Sequence, residues 1–286
     1  MRYARDVMSE TTERNLSRLP GAAGRLAAVF ARPRVLAAFC VIALAALGWL
    51  ALGLSIGGVG GFAALCRPVV AATWDGRDFA VVFLMWGAMT LAMMLPSAAP
   101  MILTYAEIAD TAAHKGERIV SPFTLTAGYS LVWLGFAAVA TLAQFVFTRA
   151  AFIDSGMASA SGLFSGAIFI AAGVYQFSAL KHACLTQCQH PFPFFFAHWA
   201  TTPRGVLRLG LKQGLYCLGC CWAMMLVMFA LGVMNVIWMA ALGAVMTLEK
   251  LGTGRRFTYA LGAVLIAAGL GFVLTALVTH WPAHSV

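Results

Sequence analysis

A chain of 286 residues that is 62% hydrophobic and only 10% charged, with a mean hydropathy of +0.86, lies outside the range of soluble domains, where about 45–50% apolar and about 25% charged are usual. That excludes a soluble globular enzyme and makes the chain an integral membrane protein. Its net charge of +9 then marks lysines and arginines facing anionic lipid headgroups, with no nucleic-acid partner required.

Residues 1–34 read as a basic cytoplasmic arm carrying Arg2, Arg5, Arg14, Arg18, Arg25, Arg32 and Arg34. The arm has no apolar stretch followed by a small-residue cleavage site, so it does not read as a signal peptide. Residues 35–286 read as one polytopic membrane domain without a linker. Apolar runs near the ~20 residues needed to cross a bilayer fall at 35–56, 79–105, 122–147, 161–180, 209–231, 233–248 and 258–280. The expected fold is therefore an all-α integral membrane bundle of about seven transmembrane helices. With that layout 16 of the 19 Lys and Arg residues fall on one side, leaving Arg67, Arg77 and Arg149 opposite. The positive-inside rule then puts the N-terminus in the cytoplasm and the C-terminus outside.

In the second predicted span Met85, Met89 and Met93 recur every fourth residue, while Met94 and Met101 fall on the other side of an ideal helix. Met89, Met93 and Met94 are candidate thioether donors. Pro96 and Pro100 are expected to kink the helix and free carbonyls that need other partners. The fourth span ends with Cys184 and Cys188, four residues apart, which share a face only if the helix continues past Lys181. On the expected topology both thiols sit at the cytoplasmic surface, where a structural disulfide is disfavoured and metal capture is the natural use. His182, His190 and His198 lie in the same stretch as assisting ligands. The run from Pro191 to Trp199 contains four phenylalanines and resembles an interfacial anchor.

The fifth span holds Cys217, Cys220 and Cys221 with Met224 and Met228. At 100° per residue these five sulfurs fall in a stripe roughly 100° wide, so one face can present them to one site. Thiolates with thioethers select Cu(I), because soft donors match a soft monovalent ion; zinc with Cys ligands is the lesser alternative. In the sixth span Asn235 is expected to tie helices together by a hydrogen bond, and Glu249-Lys250 closes its cytoplasmic end.

Three blocks carry a family resemblance. They are Met85-Trp86 with Ala92 through Met101; Tyr175-Gln176 with Leu180-Lys181, Cys184 and Cys188; and Gly214 through Trp222 with Gly232 through Asn235, Trp238-Met239 and Glu249-Lys250. Over about residues 79–252 the chain resembles the bacterial "predicted metal-binding integral membrane protein" family, a domain of unknown function of which some members are labelled copper chaperone. The resemblance implies metal binding and a multi-pass place in the bacterial inner membrane. Where the family pattern often has His before the glycine of the Cys block, this chain has Gln213.

The expected function is the binding of Cu(I) for delivery, storage or transport. The metal ligands would be Cys217, Cys220, Cys221, Met89, Met93, Met94 and Met224, with Cys184 and Cys188 as a capture pair and a cuproprotein or copper carrier as partner. No Gly-x4-Gly-Lys-Ser/Thr loop supplies ATP, and the chain is not expected to be an enzyme. The alternatives are a structural subunit of a membrane complex, or a thiol oxidoreductase using Cys217 and Cys220, which would need an attacking thiol reachable by its substrate.

Overall fold

The structure is a computed structural model that describes residues 74–117, 119–150, 152, 161–233, 235–252 and 254–280, together with 42, 43, 46, 49 and 50. The basic arm and, apart from those positions, the first predicted span lie outside the described residues, as do Cys40, Cys66 and Met234.

The described residues form eight helices and no strand. In chain order they are α1 (Gly76–His114), α2 (Pro122–Arg149), α3 (Gly162–Tyr175), α4 (Ala179–Gln189), α5 (Pro191–Ala197), α6 (Pro203–Leu231), α7 (Val236–Lys250) and α8 (Arg255–His280). Local chemistry sets their starts. Asp75 accepts from the N–H groups of Arg77 and Asp78 while Asp78 accepts from the Asp75 N–H, a reciprocal cap that opens α1. Thr202 caps α6 ahead of Pro203, whose missing N–H costs nothing in a first turn. Asn235, expected to bridge helices, instead caps α7 by accepting from the Trp238 N–H.

Four helices, α1, α2, α6 and α8, are long and apolar enough to cross a membrane, or five spans if the bent pair α3–α4 counts as one. Seven spans are therefore not found among the described residues. The fourth predicted span bends by 65° between Tyr175 and Ala179, because Ser178 starts a new helix by accepting from the Lys181 N–H. The sixth, α7, has only 15 residues, about 22 Å at 1.5 Å per residue, short of a ~30 Å hydrocarbon core. Outward-facing Leu131, Leu142, Val264 and Leu274 give the bundle the apolar exterior that lipid requires.

The expected kink does not interrupt α1, which runs unbroken through Pro96 and Pro100 for 39 residues. Pro96 has no N–H to offer the carbonyl of Ala92. That carbonyl accepts instead from the indole Nε1 of Trp49 at 3.0 Å, so the freed group is satisfied from outside the helix, as a membrane interior demands.

Two close helix crossings order the bundle. Where α2 meets α6, a Cβ on Gly128 would run into the Leu207 carbonyl and one on Gly210 into that of Leu125. Where α3 meets α8, a Cβ on Gly166 or Gly173 would lie 2.8 Å from the carbonyl of Gly269 or Gly262. Both are backbone-to-backbone approaches that only glycine allows. The first sets α6 deep in the bundle, against α2 on one side and α3 and α4 on the other.

Candidate metal centre

The centre is built on α6, which buries Cys217, Cys220 and Cys221 at 3%, 1% and 2% exposure. Below the 65° bend α4 continues past Lys181, so Cys184 and Cys188 do share a face, turned onto α6. The contact needs Gly219, since a Cβ there would stand 2.6 Å from the Cys184 sulfur. Tyr175, at the end of α3, donates its hydroxyl to the Gly219 carbonyl and holds the same point.

Cys188 reaches the α6 thiols. Its Sγ lies 3.9 Å from that of Cys220, which is 3.3 Å from Cys221 Sγ, and Cys217 neighbours all three. The two groups of cysteines that the sequence separates into a surface pair and an inner cluster thus form one cluster. Cys184 is buried rather than at the surface, and Cys188 is partly buried; the bend that turns α4 onto α6 causes both.

Positive charge enters from α7. The Lys250 Nζ donates to Cys217 Sγ at 3.0 Å and to Ser97 Oγ at 2.6 Å. Tyr129 of α2 places its hydroxyl 3.0 Å from Cys217 Sγ and 3.2 Å from the Met94 carbonyl. One residue earlier on α7, Glu249 Oε2 binds Lys181 Nζ at 2.8 Å with both side chains almost fully buried, and Gln189 donates to the Glu249 carbonyl at 2.7 Å. The last turn of α7 therefore ties α1, α4 and α6 together around the sulfurs.

A cavity of about 20 Å³ opens beside Cys217 and Cys188, room for about one water-sized occupant. Met101, Ala98 and Ser97 of α1 line it, together with Tyr129, Gln213 and Lys250. Gln213 stands one residue before the glycine that opens the Cys block. It is 2% exposed and its Nε2 has no hydrogen-bond partner.

Other candidates fall elsewhere. Met89, Met93, Met94 and Met224 are fully buried in the core, but the thioether at the cavity is Met101, which helical spacing sets apart from the Met85, Met89 and Met93 row. His190 and His198 turn their Nδ1 atoms to the backbone carbonyls of Thr186 and Phe194, while His182 stands edge-on to Tyr259 with its Nε2 unpartnered. The aromatic run forms α5, which buries Phe194 and Phe195 and leaves Phe192 and Phe196 outside. Sequence reasoning misses the Lys250–Cys217 contact and the Lys181–Glu249 pair. Their one available signal is the presence of lysines within largely apolar runs, which in a membrane must find partners.

The residues fit a soft ion in donor type: two thiols and a thioether line the cavity, and no carboxylate or imidazole does. Among the described residues no group of three or more His, Cys, Asp or Glu side chains is arranged to hold a metal ion. Neither curated proteins nor solved structures yield a match to the chain. A family model described as PpoB2, copper chaperone, matches residues 83–272, a stretch that contains Met101 and all the cysteines of the sulfur cluster. The chain belongs to this copper chaperone family.

Proposed function

We propose that this chain is a membrane copper chaperone that holds Cu(I) between Cys188 and Cys217, with Met101 as the neutral third sulfur, and hands it to an acceptor protein. Cys220 and Cys221 stand behind as further thiols for an exchange of ligands. The observation that carries the reading is the arrival of Cys188 from α4 at the α6 thiols, 3.9 Å from Cys220, beside a cavity lined by no carboxylate or imidazole. Soft sulfur donors and a confined, low-dielectric place suit a soft monovalent ion. Met89, Met93, Met94 and Met224 serve in this reading as adaptable packing of the core. On the topology expected from the basic residues, the α7 end of the site faces the cytoplasm of a bacterial inner membrane.

The test is metal binding by the full chain, purified in detergent under reductant and titrated with Cu(I) against a chelator of known affinity. Cys188→Ser/Cys217→Ser should lose the tight equivalent, whereas Cys184→Ala should keep it. Retention of tight Cu(I) by the double variant, or displacement of Cu(I) by equimolar Zn(II), would sink the proposal.

A further inference from the structure

We infer that Lys250 sets the charge of the cargo: its ammonium makes the centre select a monovalent over a divalent ion. The inference rests on the sulfur-centre reading above and adds to it a residue that is not itself a ligand.

Lys250 is 8% exposed, and its Nζ donates to Cys217 Sγ and Ser97 Oγ. The nearest carboxylate in sequence, Glu249, is committed to Lys181, and no Asp or Glu lines the cavity. A buried ammonium needs a negative partner, and at this cavity the thiols are the groups that most readily become one, since the Tyr129 phenol is by nature the weaker acid. Two thiols face the cavity with one neutral thioether, so a bound ion meets at most two thiolates there.

The charge count then discriminates. A monovalent ion on two thiolates carries a net −1, which the ammonium cancels. A divalent ion on the same two thiolates is already neutral, and the ammonium is left as an uncompensated +1 in a low-dielectric interior, where such a charge is costly. Metal–sulfur bonds form to the two thiolates and to the neutral Met101 thioether, any thiol protons pass to solvent, the ammonium keeps its own, and no electron moves. Removing the ammonium reverses the preference, since the divalent complex is then neutral and the monovalent one is the charged species.

The experiment compares Ag(I), a redox-inert soft monovalent probe, with Zn(II), on the detergent-purified, reduced full chain. Lys250→Met removes the charge, Lys250→Gln removes it while keeping a donor for Ser97, and Lys250→Arg keeps it. Both neutral variants should bind Ag(I) at least ~10-fold more weakly and Zn(II) more tightly, since charges a few ångströms apart interact strongly at an effective dielectric near 20. Lys250→Arg should keep the wild-type order of preference. A merely structural lysine would weaken both ions together, so an unchanged Ag(I)-to-Zn(II) ratio in the neutral variants overturns the inference while leaving the sulfur centre standing. Absence of Ag(I) binding by the wild-type chain overturns the sulfur centre, and this inference with it.

Discussion

The α3–α8 pair and the α4–α6–α7 junction are both tightly packed, yet they are held by opposite means. Between α3 and α8, glycines at 166, 173, 262 and 269 let one backbone lie against the other, and the gain is dispersion and close fit. At the junction Lys181, Glu249, Lys250 and Gln213 are all buried, and each brings a desolvation penalty that only well-placed partners offset. A membrane protein that needed only to fold could use the first device throughout. Buried ionisable groups in an apolar bundle are a pointer to function, and here one of them, Lys250, rests on a sulfur atom.

The largest effect should come from breaking the ion pair of the junction. Lys181→Met strands the Glu249 carboxylate, one oxygen of which already lacks a partner, and should cost about 3–5 kcal/mol in unfolding in detergent. Lys181→Met/Glu249→Leu, which removes both charges, should recover most of the loss. A double variant no more stable than the single one would show that the pair does not behave as a coupled unit.

A smaller loss is expected at the glycine pair. Gly173→Leu forces a side chain where a Cβ alone would stand 2.7 Å from Ile266 and 2.8 Å from the Gly262 carbonyl, an overpacking cost of about 1–3 kcal/mol. Metal titration of this variant should match wild type. Lost Cu(I) affinity here would mean that the two regions are coupled and that the contrast between them fails.

The smallest effect should come from Tyr129→Phe. It removes the hydroxyl shared between the Met94 carbonyl and Cys217 and leaves the ring packed, for a loss of about 1 kcal/mol. A melting temperature identical to wild type would show that water replaces the hydroxyl and that the site is wetter than its burial implies.

Much of the bundle is legible in the order of the amino acids. Apolar runs locate α1, α2, α6 and α8 because a span must hide its backbone polar groups within one helix, and the helical period puts the α6 sulfurs on one face. Among the described residues the seven-span layout is not recovered, since a hydropathy window does not register that Ser178 restarts a helix at an angle or that α7 stops short. Asn235 escapes for a similar reason: a cap and a cross-helix bond use the same side chain, and only the start of α7 distinguishes them.

The sequence by itself determined that the chain is helical and apolar enough to cross a membrane, and it singled out Cys184, Cys188 and the Cys217–Cys221 block as the sulfur-rich positions. Both follow from composition and from spacing within single helices. Only the tertiary structure decided that Cys188 joins the α6 thiols, that Met101 and not Met93 faces the cavity, and that Lys250 rests on Cys217. Contacts such as Ser97 to Lys250, 153 residues apart in the chain, depend on how helices cross, and crossing is set by a few glycines and bends whose partners no local pattern names.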